Sequence, residues 1–159
     1  MGYTLRIGEL ETTVEYEGLE SYIANDAKAV TDEKAPAFGE PTDHSNSRWP
    51  SYTSWHNAMR FVGLHEMMFN KETGLIRNHP DCVPLVKEHK EIIDKAYKDF
   101  YEKYPNCKAG YSPNINEKEG IFEDAEWPME NNYATRLEWL KYWVDWALEN
   151  CKHPVFYNS

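Results

Sequence analysis

Residues 133–151, YATRLEWLKYWVDWALENC, leave this chain few ways to fold. Charged side chains recur at Glu138, Lys141, Asp145 and Glu149, three or four residues apart, which is the spacing of one helix face. From Leu137 to Leu148 almost every other position is apolar. Trp139, Trp143 and Trp146 lie there, half of the chain's six tryptophans. A helix apolar around most of its girth is stable in water only when other elements wrap it. The stretch therefore predicts a central core helix, capped by Asn131 or Asn132. Arg136, near its N-terminal end, is the exception that can reach a pocket.

The wrapping elements follow from periodicity. Tyr3, Leu5 and Ile7 alternate with polar residues, and so do Thr12, Val14 and Tyr16. That pattern predicts a β-hairpin over 3–16 with its turn at residues 8–11. Residues 17–50 hold Pro36, Gly39, Pro41 and Pro50 among small polar residues, and read as a long loop with a short strand or helical turn near 23–30. A helix starts at Pro50–Ser51, with Tyr52, Trp55, Met59 and Val62 on one face, and Gly63 ends or kinks it before LHEMMF. A second helix covers 84–104, from Pro84 in the first helical position. Its inner stripe is Leu85, Ile92, Ala96 and Phe100, with His89 in the core. Its outer face carries the pairs Glu91–Lys95, Asp94–Lys98 and Lys98–Glu102. Residues 105–132 form another long connection, pinned by Tyr111, Phe122 and Trp127. After His153–Pro154, the residues Val155, Phe156 and Tyr157 return as a strand or hook. The expected class is α+β, mainly α. Three main helices pack around a Trp-rich C-terminal helix, with an N-terminal β-hairpin and two long loops, in one globular domain over 1–159.

Charge narrows the partners. The formal net charge is −10, from 27 acidic against 17 basic residues. A nucleic-acid polymer wants a basic face, so none is expected as a partner. No apolar run approaches the roughly 18 residues of a membrane span, and the N-terminal residues lack a signal-peptide pattern. Cys82, Cys107 and Cys151 are odd in number and widely spaced, which reads as free thiols in a reducing cytoplasm.

The familiar catalytic patterns are missing. His65-Glu66-Met67-Met68-Phe69 begins like the zinc-protease helix but lacks the second histidine, which is half of that motif's metal grip. There is no nucleophile elbow, phosphate loop or dinucleotide fingerprint. Cys82 before the second helix, near His79 and Asp81, is an alternative nucleophile, since a helix N-terminus lowers a thiol's pKa. Asp43, His44, His56 and His65 are the set a fold would have to gather to make a metal centre. The acidic cluster Glu117, Glu119, Glu123, Asp124, Glu126 and Glu130 lacks the order of a calcium loop and reads as a solvated segment. No catalytic residue, metal or cofactor is assigned.

The favoured site is the entry to the first helix. A helix N-terminus offers unpaired N–H groups and partial positive charge to an anion. Arg48 can grip an anion bidentately, and Trp49 and Tyr52 can stack a planar ring. His56 and Arg60 follow Tyr52 on one helix face. With Ser47, Ser51 and Arg136 they complete the ligand-binding set: Ser47, Arg48, Trp49, Ser51, Tyr52, His56, Arg60 and Arg136. Ordinary capping and arginine–carboxylate pairing account for the same residues without any ligand.

The segments NSRWPSYTSW…FVGL, NHPDCVPL and WALENCKHPVFYNS resemble small uncharacterised proteins of phages and prophages over most of the chain after residue 40. The resemblance implies a host cytoplasm and a role in anti-defence, by sequestering a host signal or blocking a host protein. The leading expectation is a non-enzymatic protein that binds a small anionic, nucleotide-like ligand. Its rivals are a protein-interaction or virion-associated protein, which includes self-association, and a metal-dependent or Cys–His hydrolase.

Overall fold

The computed structural model describes residues 1–38, 40–110 and 128–159, together with the backbone of 115–116 and 121–122. In chain order the elements are β1 Leu5–Glu17, β2 Glu20–Ala27, β3 Ser47–Arg48, α1 Tyr52–Phe61, α2 His65–Phe69, β4 Asp81–Pro84 and α3 Lys87–Lys103. They are followed by β5 Ile115–Asn116, β6 Ile121–Phe122, α4 Met129–Asn150 and β7 Pro154–Asn158.

The expectation of a mainly helical protein is overturned. Helix makes up 38% and strand 26%, with a curled five-stranded antiparallel sheet beside four helices among the described residues. The sheet runs β2-β1-β7-β4, and β3 pairs with β1 at its base. Two further stretches join the sheet: the tail, expected as a strand or hook, and part of the stretch expected as a long loop with a short strand or helical turn near 23–30. The tail 154–158 lies between β1 and β4, hydrogen-bonded to both. Residues 20–27, assigned to the long loop, pair with the far half of β1.

The hairpin reading failed for a physical reason. Its apolar positions change parity, from Tyr3, Leu5 and Ile7 to Thr12, Val14 and Tyr16, which looks like a turn. Instead β1 runs straight on for 13 residues. Leu5 and Ile7 face the core, and beyond Leu10 the strand leaves it, so later side chains no longer obey the same inside and outside. The real turn is Gly18–Leu19, with Gly18 at φ 65°, the positive value that a two-residue hairpin turn asks of its first position.

Three helical expectations hold with shifted edges. The core helix α4 starts at Met129 rather than 133, and buries Leu137, Trp139, Leu140, Trp143, Val144 and Ala147. Helix α1 is capped by Ser51, whose Oγ accepts the Ser54 N–H at 3.2 Å. Gly63, at φ 77°, separates α1 from the short α2. The second long helix, α3, begins at Lys87, because Pro84 closes β4 instead of opening a helix. Its buried stripe is Ile93, Ala96 and Phe100, while Ile92 is 44% exposed, so the face is rotated by one residue from the expected one. Of the three charge pairs expected on α3, Lys98–Glu102 is present at 4.0 Å, and Lys95 pairs with Asp99 instead. His89 is not a core residue. Its Nδ1 accepts the Val86 N–H and caps α3. The expected anchors Tyr111 and Trp127 and the Phe122 side chain lie outside the described residues, as does the acidic cluster apart from Glu130.

Most of the charged stripe on α4 pairs with α3. Glu138 Oε1 accepts hydrogen bonds from Tyr97 and Tyr101, both at 2.8 Å. Lys141 bridges Asp94 and Asp145, and Lys90 does the same from α3. Burial and the Glu138 carboxylate push the Tyr97 hydroxyl up to about 12. Both tyrosines therefore stay protonated and act as donors. Among the described residues no helix is long and apolar enough to cross a membrane.

Candidate functional site

Of the eight residues expected to form one site, six divide among three places, and Trp49 and Arg60 stand apart on the surface. Ser47 and Arg48 point inward. Ser47 Oγ accepts from Arg6 Nε at 2.9 Å. Arg48 is 5% exposed, and its Nη1 donates to Asp43 Oδ2 at 2.9 Å, to the Ser47 carbonyl at 2.7 Å and to Ser45 Oγ at 3.3 Å. The guanidinium lies 4.5 Å from the Phe38 ring centre and 5.7 Å from Trp139. Burial pulls Arg48 below its ordinary value, and Asp43 works against that fall. Its Nη donors are used inside the fold, so Arg48 is a clamp on the 38–48 loop and is not presented at the surface as an anion grip.

Tyr52 and His56, on the first turns of α1, join a ring cluster. Tyr3 packs 4.6 Å from Tyr52 and edge-on to His79 at 5.3 Å. His79 uses both ring nitrogens, Nδ1 with Asn158 Oδ1 at 2.8 Å and Nε2 with the Tyr52 hydroxyl at 3.4 Å. Cys82 sits in β4 instead of at a helix N-terminus. Burial, with the nearby carboxylates of Asp26 and Asp81, pushes its thiol up to about 11. A protonated thiol without His79 beside it has the properties of a packing residue rather than a nucleophile. His44 and Asp43 face away from this cluster. His44 Nδ1 bonds the Ala35 carbonyl at 2.7 Å and Asp43 holds Arg48, so of the four residues weighed for a metal only His56 and His65 come together. No group of three or more histidine, cysteine, aspartate or glutamate residues able to hold a metal occurs among the described residues. Trp49 is 66% exposed, and Arg60 stands on the surface in the last turn of α1.

Ser51 and Arg136 meet at a third place. Here the N-terminal turn of α1 lies across the first turns of α4, leaving a cleft of about 280 Å³. Its walls are Ser51, Thr53, Ser54 and Asn57 on one side, and Met129, Asn132, Tyr133 and Arg136 on the other. The first turn of α1 carries no acidic residue, so nothing on the helix offsets its partial positive end. Arg136 Nη1 donates to the Asn132 carbonyl at 3.0 Å, and its enclosed Nε has no acceptor. The guanidinium lies 5.5 Å from the Phe38 ring centre, on the same ring that Arg48 covers. Burial pulls Arg136 below its ordinary value, opposed by Tyr133 and by no carboxylate among the described residues.

This absence sets the cleft apart from four others. Four other clefts on the described surface each include at least one carboxylate: Asp99, Glu130, the pair Glu138 and Asp145, and the pair Glu15 and Asp81. A hydroxyl-rich hollow with one under-satisfied arginine and no acid among the described residues can hold a compact anion through charge-assisted hydrogen bonds. Sequence reading missed Thr53, Ser54, Asn57, Asn132 and Tyr133. Three of these follow Ser51 within six residues and were read as part of an ordinary helix start. The pairing of that start with α4 is tertiary information. Compared with known proteins, the chain matches no family model, no curated protein and no solved structure.

Proposed function

We propose that this is a non-enzymatic binding protein for a compact anion, a phosphate or carboxylate on a small body, held in the cleft between α1 and α4. The observation that carries the reading is Arg136. A partly buried cation without a counterion is an unfavourable arrangement, and a bound anion relieves it. The cleft volume of about 280 Å³ lies at the lower edge of small-molecule sites, roughly 300–1,000 Å³. A single phosphate group with one small ring fits that size better than an extended cofactor. The resemblance to small phage proteins favours a sequestering role in a host cytoplasm.

Thermal melting in the presence of inorganic phosphate, nucleoside monophosphates and small carboxylates tests the reading. A ligand that binds only the folded chain raises the melting temperature. The expected result is a concentration-dependent rise that Arg136→Met removes. No rise with any of these anions, or an equal rise in the variant, sinks the proposal.

A second reading, binding of another protein, rests on the outer half of the β1–β2 hairpin. Cross-strand partners share a face, so the register Val14↔Ile23 puts Val14, Tyr16 and Ile23 together. They are 57%, 80% and 68% exposed, and the tip residue Leu19 is fully exposed. The opposite face carries Glu11, Glu15, Glu17 and Glu20. An apolar face on an acid-backed arm suits association with a second protein or a second copy. Light scattering of the chain against Val14→Asp/Ile23→Asp tests the self-association form, since a dimer reduced to monomer by the substitutions supports it and a monomeric parent chain excludes it.

A further inference from the structure

His56 and His65 face each other across the α1–α2 turn, nine residues apart in sequence, brought together by the positive φ of Gly63. The Nδ1 of His56 is 3.3 Å from the Nε2 of His65. That is long for a hydrogen bond between rings. It matches the separation of two nitrogens on one tetrahedral metal, about 3.3 Å for metal–nitrogen bonds of about 2.0–2.1 Å. The surroundings hold the rings in place. Phe69 stacks on His56 with ring centres 3.7 Å apart and planes within 11°, and its ring centre is 4.9 Å from that of His65. The second nitrogen of His56, Nε2, lies 3.2 Å from the Tyr3 hydroxyl oxygen. A proton on Nε2, donated to Tyr3, leaves a lone pair on Nδ1 facing His65. A ligating histidine is ordinarily oriented by such an outer partner.

We propose that His56 Nδ1 and His65 Nε2 form a two-ligand site for a borderline divalent transition metal such as zinc or nickel, with Tyr3 as the outer partner and water in the remaining positions. Both residues are partly exposed. Arg60, one turn further along α1, opposes a cation and keeps the site modest in affinity. Glu66 does not contribute, since its carboxylate accepts from the Asn70 side chain. No third histidine, cysteine or carboxylate among the described residues completes the set, so the coordination stays open. The site is separate from the Arg136 cleft and stands or falls without it.

The test uses the full chain stripped of metal by chelation and titrated with zinc or nickel chloride, read by calorimetry. The expected result is one ion per chain, with affinity weakened at least tenfold by His56→Ala and by His65→Ala. His79→Ala, in the same ring cluster, should leave it within about twofold, because both His79 nitrogens are turned elsewhere. Tyr3→Phe should weaken binding by about tenfold, as loss of an outer partner does. Side-chain nitrogen resonances of the unmodified protein give an independent reading that needs no folded variant, and those of His56 and His65 should shift together as metal is added. No binding at millimolar metal, equal binding by both alanine variants, or resonances that shift only at other histidines would overturn the assignment.

Discussion

Arg48 and Arg136 lean on the same phenylalanine and share little else. Both guanidiniums are within 5.5 Å of the Phe38 ring centre, both have an enclosed Nε without an acceptor, and burial pulls both below their ordinary values. Asp43 stands against Arg48, whereas Arg136 has only the Asn132 carbonyl and the open cleft. The counterion decides what each arginine does. With one, the side chain ties a loop to the core. Without one, it leaves a positive hollow in a chain of net charge −10.

The largest break in this comparison is expected from Arg48→Met. It removes a buried ion pair, a shared set of hydrogen bonds and two ring contacts. Stability should fall by about 3 kcal/mol in urea unfolding, near the lower end for broken buried pairs because Asp43 keeps access to water. Asp43→Asn is the sharper experiment, since it leaves Arg48 in the condition of Arg136. A loss of about 1–2 kcal/mol is expected, with part of it restored by added phosphate. If phosphate does nothing for that variant, the missing counterion is not what separates the two arginines. Arg136→Met should change stability by less than about 1 kcal/mol, of either sign, because an apolar replacement removes an unpaired buried charge. A large loss there would mean that Arg136 is a clamp like Arg48.

The smallest effect belongs to the solvated seam between α3 and α4. Burial alone would raise the Asp94 carboxyl, but hydrogen bonds from Lys141 and Lys90 outweigh it and hold it below the usual carboxylate value. A lowered folded value means that the contribution is present above about pH 4 and is lost as pH falls through the folded value. The same contacts raise Lys90 and Lys141, so their share persists until high pH. Asp94→Asn should cost less than about 1 kcal/mol at neutral pH, since the group is 41% exposed, and the difference from the parent chain should vanish near pH 2. Melting temperature against pH for both chains measures it.

Sequence alone exposed the parts of the fold that local pattern controls. The α4 core helix, the start of α1 after Pro50–Ser51 and the break at Gly63 each follow from residues within a turn of one another. What failed depended on distant partners. The strand at 20–27 exists because the far half of β1 lies beside it, and those residues by themselves read as part of a long loop with a short strand or helical turn near 23–30. The site divided for the same reason. Arg48 and Arg60 were grouped by nearness in sequence, but β3 turns one into the core while α1 carries the other to the surface. Arg136 stood out because a cation near the start of an apolar helix is an oddity, although its neighbour Ser51 is 85 residues away.

The change of course along β1 has a consequence for how the molecule breathes. From Leu5 to Glu9 the strand is flanked by β7 on one edge and by β3 or the 28–30 segment on the other. Beyond Leu10 it has β2 alone. A single continuous strand thus belongs to two opening units. Its inner amides exchange with solvent hydrogen only when the whole domain unfolds, and its outer amides whenever the arm peels away. The boundary in exchange rate should fall at Leu10, in the middle of a strand rather than at its end.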